Sequence, residues 1–207
     1  MRVFLLHGMG RTPRSLALLA WRLERSSMTA HSFGYRVREH DLRHIAARFA
    51  AFVEEHAHGP YAIVGHSLGN VIARLASPEL PPGFERFVML APPNRPPRLA
   101  ALLRDHAVFR ALTSDAGQRL ADPAFYDALP VPSVPTLIFA GTAGPRARWL
   151  PHGGAASDGV VAVDETFYPG AEHREVPAIH TFIMNGAEVT QAIVEFLRGP
   201  ASETPST

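Results

Sequence analysis

One serine in this sequence stands where chemistry can be done. Ser67 lies in Gly65-His66-Ser67-Leu68-Gly69, behind the apolar run Tyr61-Ala62-Ile63-Val64 and ahead of Val71-Ile72-Ala73-Arg74-Leu75-Ala76. Strand, sharp turn and helix form the setting in which Gly-x-Ser-x-Gly exposes a nucleophilic hydroxyl. The turn strains the serine backbone, and small residues at 65 and 69 let strand and helix approach. A serine hydroxyl is a weak nucleophile at neutral pH. It needs a base to take its proton, an acid to orient that base, and N–H donors for the oxyanion that forms. In open parallel sheets such groups gather beyond the carboxyl ends of the strands. Each partner of Ser67 must therefore follow a strand. The competing reading, a serine in an ordinary Gly-rich turn, is the weaker one in this strand–turn–helix context.

The base must be one of 11 histidines. His31, His40, His44, His56, His58, His106 and His152 occupy helical or loop positions without a strand just before them, and read as surface or structural. His66 adjoins Ser67 and is expected to face away from it. His7 ends the first strand and is expected to support the loop after it. That leaves His173 and His180. His180 is preferred, because it follows the last strand and precedes the final helix. The acid should follow the strand Thr136 to Ala140. Asp158, in Ser157-Asp158-Gly159-Val160-Val161, leads, with Asp164, Glu165 and Glu172 as alternatives; Asp115, Asp122 and Asp127 read as solvated caps. The resulting order, Ser67, Asp158, His180, is one of the known chain orders for this chemistry. Oxyanion donors are expected from the backbone N–H of Leu68 and from His7-Gly8-Met9-Gly10, with Met9 first and Gly10 second.

The elements that must position these groups alternate along the chain. Arg2 to Leu6 reads as a buried strand, followed by a helix from about Thr12 with Pro13 in its first turn. Phe33 to Glu39 alternates loosely and reads as a second strand. Arg43 to Ala57 is an amphipathic helix, with Ile45, Phe49, Phe52 and Val53 on one face. After the elbow and its helix comes a strand over Phe84 to Leu90. Residues 95–133 have a helical pattern, with Leu99, Leu102, Leu103, Phe109 and Leu112 as the expected apolar face. Gly141 to Ser157 is a long Gly- and Pro-rich loop. Val160, Val161 and Val163 suggest a short extended piece, and Glu172 to Val176 a last strand. A final helix spans about Ala187 to Leu197, with Asn185 and Glu188 at capping-box spacing. Alternation of this kind predicts an α/β fold with a mostly parallel central sheet and helices on both faces. Residues 1–198 are expected to form a single domain, with 95–133 as a candidate small cap and 199–207 as a flexible tail.

Composition narrows the function further. The chain has 207 residues, 46% of them hydrophobic, and a formal charge of +1, so no nucleic-acid footprint is expected. All 20 basic residues are Arg, which we read as compositional bias, and there is no Cys. Disulfides, thiolate metal sites and Cys nucleophiles are thereby excluded. No apolar run approaches the length of a transmembrane span, and the N-terminal one is too short for a signal-peptide core. A cytoplasmic protein is expected, with a secreted form lacking its leader as the alternative. Phosphate-binding, dinucleotide and zinc-protease motifs are missing, and His and acidic residues lack metal-ligand spacing, so no cofactor is expected.

Taken together, HGMG at 7–10, GHSLGN at 65–70, Ala91-Pro92-Pro93-Asn94 after its strand, SDGVV at 157–161 and HTFIM at 180–184 resemble the compact bacterial α/β-hydrolases of the lipase/esterase type. The resemblance spans nearly the whole chain. It implies the α/β-hydrolase fold, a Ser67–His180–Asp158 triad, and backbone donors at Met9 and Leu68. Two departures stand out: Asn70 occupies a position that is Gly in many lipases, and the loop before Asp158 is long. The implied activity is hydrolysis of a small-molecule or lipid carboxylic ester through an acyl-enzyme, with short to medium acyl chains expected. Thioester or amide hydrolysis, or a non-catalytic binding role on the same fold, are the alternatives. The oligomeric state is left open.

Overall fold

The structure is a computed structural model describing residues 1–38 and 41–199. Six strands, β1 (Arg2–Leu6), β2 (Thr29–Phe33), β3 (Tyr61–His66), β4 (Phe84–Leu90), β5 (Thr136–Gly141) and β6 (Glu172–Val176), form one sheet in the order β2-β1-β3-β4-β5-β6. Every neighbouring pair is parallel. The register aligns their carboxyl ends: Leu6 faces Gly65, His66 faces Leu90 and Gly141 faces Val176. The loops carrying His7, Ser67 and the segments after β5 and β6 therefore leave the sheet along one rim.

Strands buried on both faces need apolar side chains at successive positions, and β1, β3, β4 and β5 supply them. Val3, Leu5, Ala62, Val64, Val88, Leu90, Leu137 and Phe139 pack on one side against α1 (Ala17–Arg25) and α7 (Ala187–Arg198). Phe4, Leu6, Tyr61, Ile63, Phe87, Met89 and Ile138 pack on the other against α2 (Leu42–His56) and α3 (Leu68–Ala76). Burying one such large apolar side chain is worth about 1.5 to 3 kcal/mol, so both layers are held to the sheet by many modest contributions.

Several expected elements are displaced. The second strand is Thr29–Phe33, not Phe33 to Glu39, and Glu39 and His40 lie outside the described residues. As an edge strand, β2 needs little apolar content; Tyr35 and Val37, which suggested alternation, are buried from the loop after it. The expected helical segment 95–133 is three helices, α4 (Arg98–Leu103), α5 (Ala107–Leu120) and α6 (Pro123–Asp127). Its apolar face also differs: Leu102 and Leu112 are 66% and 58% exposed, while Ala100, Ala116, Leu120 and Tyr126 are buried. Leu102 and Ala100 lie in the separate helix α4, and α5 is itself broken at Ser114, with φ 50° and ψ −137°. Residues before and after it no longer share one helical phase. Asn185 does not cap α7, whose N-cap is Gly186; the Asn185 carbonyl instead accepts from Arg22. Val160, Val161 and Val163 make no strand; Ala162 bridges Ser157, and Val163–Glu165 is a 3₁₀ turn. The expected tail lies outside the described residues beyond Gly199.

Arg74 of α3 ties the 95–133 segment to the sheet layer. Buried, it donates from Nε to the Pro130 carbonyl (3.0 Å), from Nη2 to the Leu129 carbonyl (3.3 Å) and from Nη1 to Asn94 Oδ1 (3.3 Å). At the other end of the segment, Glu165 accepts from the Arg98 backbone N–H (2.8 Å), and the exposed Arg98 and Asp164 side chains pair. Arg74→Met strips three acceptors, two of them buried, of their donor. We expect it to cost about 2 to 4 kcal/mol, measured as a lower urea midpoint at unchanged m-value.

Candidate active site

Ser67 sits at the tip of a turn between β3 and α3 with φ 51° and ψ −121°. Backbone in this region is strained for a residue with a Cβ. Three hydrogen bonds hold it there. The Ser67 N–H donates to the Leu90 carbonyl (2.9 Å), and the Asn70 Nδ2 amide donates to the carbonyls of Ser67 (3.1 Å) and Leu90 (3.2 Å). Asn70, the departure noted in the sequence, thus staples the turn to β4. The small residues flanking the serine are required by space. A Cβ on Gly69 would lie 2.5 Å from the Leu6 carbonyl oxygen, and one on Gly65 would lie 2.4 Å from Asn70 Oδ1.

The loop after β1 presses against this turn. A Cβ on Gly8 would stand 3.2 Å from the Ser67 Cβ and 2.8 Å from His66 Nδ1. His7 braces the loop as expected: its ring stacks on Tyr35 at 4.2 Å, and the Tyr35 hydroxyl donates to the His7 carbonyl (2.6 Å). Neither the Met9 nor the Leu68 backbone N–H meets an acceptor among the described residues. Both lie in segments adjoining Ser67.

Asp158 and His180 meet on the far side of the rim. His180 Nδ1 lies 2.7 Å from Asp158 Oδ2, and the carboxylate is buried. An ionised carboxylate can only accept, so Nδ1 carries a proton, and in the neutral imidazole Nε2 then presents a lone pair. Asp158 Oδ1 accepts from the N–H groups of Val160 (2.9 Å) and Val161 (2.8 Å), and the His180 N–H donates to the Asp158 carbonyl (3.0 Å). The long loop before Asp158 does not carry it away from β5. The Gly144 N–H donates to the Ser157 carbonyl (2.8 Å), so the loop leaves and returns at one point. Asp158 then packs on Gly141, the last residue of β5, where a Cβ would lie 2.7 Å from the Asp158 Cβ.

The other candidates are placed elsewhere. His173 Nε2 meets the Thr166 hydroxyl at 2.7 Å. Asp164 pairs with Arg98, and Glu165 accepts the Arg98 and Ala162 N–H groups. Glu172 pairs with Arg174. No hydrogen bond joins the Ser67 hydroxyl to His180 among the described residues. The two are linked through His66, which sequence reasoning set aside. Its Nε2 donates to the His180 carbonyl (3.0 Å), and the two rings lie 4.9 Å apart. Its position next to Ser67 was the available signal, but only the return of the chain after β6 supplies its acceptor. Among the described residues no group of three or more His, Asp or Glu side chains is placed to hold a metal ion. No helix there is long and apolar enough to cross a membrane.

Burial holds the His66 imidazole neutral, far below its ordinary pKa. The nearby His180, Arg11 and His7 charges push the same way, against the opposing hydrogen bond to the His180 carbonyl. Burial lowers the pKa of His7, His31 and His173 too. Above the unfolded histidine pKa of about 6.5 neither state binds these protons. As pH falls below it, the unfolded chain takes up the His66 proton while the folded chain does not, and the folded chain takes up those of His7, His31 and His173 only at lower pH than the unfolded chain does. For His66, stability is then lost by up to about 1.4 kcal/mol per pH unit, and the other three contribute in the same direction. The thermal midpoint is expected to fall between pH 7 and pH 5, with a shallower slope in His66→Gln. Equal slopes in the two proteins would remove His66 from this account.

The fold and this rim can be set against known proteins. Residues 3–200 match the family model described as alpha/beta hydrolase family. No curated protein matched the chain. Among solved structures, the mature form of a lipase from Bacillus licheniformis superposes with a TM-score of 0.74 at 18% identity, over 93% of this chain and 91% of that one. A hydrolase of the alpha/beta superfamily from Xanthomonas campestris, itself described as putative, gives 0.63 at 18% identity, over 95% and 98% of the two chains. A pyrethroid hydrolase from Sphingobium faniae gives 0.66 at 14% identity, over 97% and 98%. At such identities the superpositions speak for the fold. With the family model covering nearly the whole sequence, the chain belongs to the alpha/beta hydrolase family.

Proposed function

We propose that this hydrolase cleaves carboxylic esters through an acyl-enzyme, with Ser67 as nucleophile, His180 as base and Asp158 as the acid that orients it. The observation that carries the reading is the buried 2.7 Å contact between Asp158 and His180 Nδ1, on the same rim as a serine held at positive φ. In the proposed cycle the Ser67 oxygen attacks the ester carbonyl while His180 Nε2 takes its proton. The tetrahedral oxyanion is received by the N–H groups of Met9 and Leu68. Collapse breaks the C–O bond, and His180 returns the proton to the leaving alcohol. Water, deprotonated by the same imidazole, then releases the acid and restores Ser67. Asp158 stays ionised throughout, holding the tautomer that leaves Nε2 free.

The names of the neighbours, a lipase and a pyrethroid hydrolase, are consistent with ester chemistry. Residues 95–133 read as a small cap fixed at both ends by Arg74 and Glu165, which favours an open site and short to medium acyl chains.

A fluorophosphonate probe should label wild-type protein at Ser67, and Ser67→Ala should lose both labelling and hydrolysis of p-nitrophenyl esters. Asp158→Asn should keep the fold but lower kcat by about 10³- to 10⁴-fold, because the imidazole then settles in the wrong tautomer. Undiminished hydrolysis by Ser67→Ala would overturn the mechanism, and a wild type that takes no probe would favour a binding role. Across a p-nitrophenyl ester series, kcat/KM should peak at short or medium chains; a steady rise to long-chain emulsions contradicts the open site.

A further inference from the structure

The proposed oxyanion loop opens onto a pocket with more positive charge than ester cleavage requires. The pocket, of about 390 Å³, lies between the loop after β1, the segment after β2 and α5. Tyr35 and Val37 are buried beside it, and Leu112 of α5 closes one side. Arg11, Arg36 and Arg38 line it, and no carboxylate does among the described residues. Arg36 already has an interaction of its own. The Arg11 and Arg38 side chains have no ion pair or hydrogen bond among the described residues.

The Arg11 backbone is held by the residue that packs on Ser67. Its backbone N–H donates to the Gly8 carbonyl (3.2 Å), and Gly8 is the residue packed on Ser67 and His66. The turn from Gly8 to Arg11 therefore joins the nucleophile to the pocket. A substrate whose carbonyl sits at Ser67 can extend along this turn and bring a second group between two guanidinium groups. Arg matches planar oxyanions, presenting paired N–H donors to carboxylate or phosphate. Partial burial of Arg11 and the apolar wall of Tyr35, Val37 and Leu112 exclude some water, which strengthens such a contact over one on an open surface.

We infer that the substrate is an ester carrying a second, anionic oxygen group, carboxylate or phosphate, bound between Arg11 and Arg38. The inference rests on the ester-hydrolase reading and names the class of ester.

The test compares three anionic esters with neutral counterparts, each corrected for its rate of hydroxide hydrolysis. The mono-p-nitrophenyl ester of glutaric acid, set against p-nitrophenyl valerate, puts a carboxylate on the acyl half. Acetoxybenzoate and acetoxyphenyl phosphate, each set against phenyl acetate, put a carboxylate or a phosphate on the leaving group. In at least one arm the anionic ester should have a kcat/KM about tenfold higher at low ionic strength, the scale of a charge-assisted contact at a partly exposed site. The arm that responds identifies which half carries the anion and which anion it is. The preference should shrink at about 0.5 M salt, fall towards unity in Arg11→Gln/Arg38→Gln, and persist in part in Arg11→Lys. The ratio of the two esters is the readout, so a general loss of stability in a variant does not imitate the result. No preference in any arm, or one that survives the double substitution, overturns the inference. Failure of the ester-hydrolase reading looks different: p-nitrophenyl valerate is then not cleaved and Ser67 takes no probe.

Discussion

The constraint on which the site depends is the approach of α3 to the end of β1. Gly69 lies so close to the Leu6 carbonyl that no side chain fits between them. That contact forces the chain to reverse within one residue after β3, and Ser67 is the residue that absorbs the reversal at positive φ. Strain of this kind persists only where its surroundings over-determine it. Here the β4 carbonyl at Leu90 and the amide of Asn70 do so. The same approach brings the loop after β1 onto Ser67, with Gly8 as the contact. The proposed nucleophile and the proposed oxyanion loop are thus placed by a single packing event.

Asp158 and His180 are placed by a second one. Both emerge beyond β5 and β6, and each holds the other twice, through the carboxylate on Nδ1 and through the His180 N–H on the Asp158 carbonyl. His66 closes the arrangement by donating to the His180 carbonyl from the position next to Ser67. Its neutral state is set by burial and by the charges around it. The two packing events therefore meet through one imidazole that is itself no part of the proposed proton transfer.

Charge is distributed unevenly about this rim. The acidic residues near Asp158 are engaged: Asp164 pairs with Arg98, and Glu165 accepts backbone N–H groups. On the β1 side, Arg11 and Arg38 face a pocket without a carboxylate among the described residues. Leu112, two residues before the break at Ser114, is exposed and adds an apolar wall to that pocket.

How much was legible in the sequence depends on the range of the forces involved. The elbow is written locally, because strand, strained turn and helix all lie within about fifteen residues and each has its own pattern. The apolar runs of β1, β3, β4 and β5 were legible because a strand buried on both faces leaves no room for polar side chains. β2 was misplaced because an edge strand carries no such demand, and buried loop residues imitated its pattern. The apolar face of 95–133 differs because the segment is three separate helices, the second broken at Ser114, and one periodicity cannot run through them. Sequence order alone left Asp158 competing with Asp164 and Glu165, and His180 with His173. Only the tertiary fold shows that Asp158 and His180 are the two that meet. Pinching the loop at Gly144 and Ser157 sets Asp158 against the end of β5, while Arg98 and Thr166 occupy the other three. The sequence determined which residue types could do the chemistry and on which rim they must lie; contacts between residues far apart in the chain decided which of them meet.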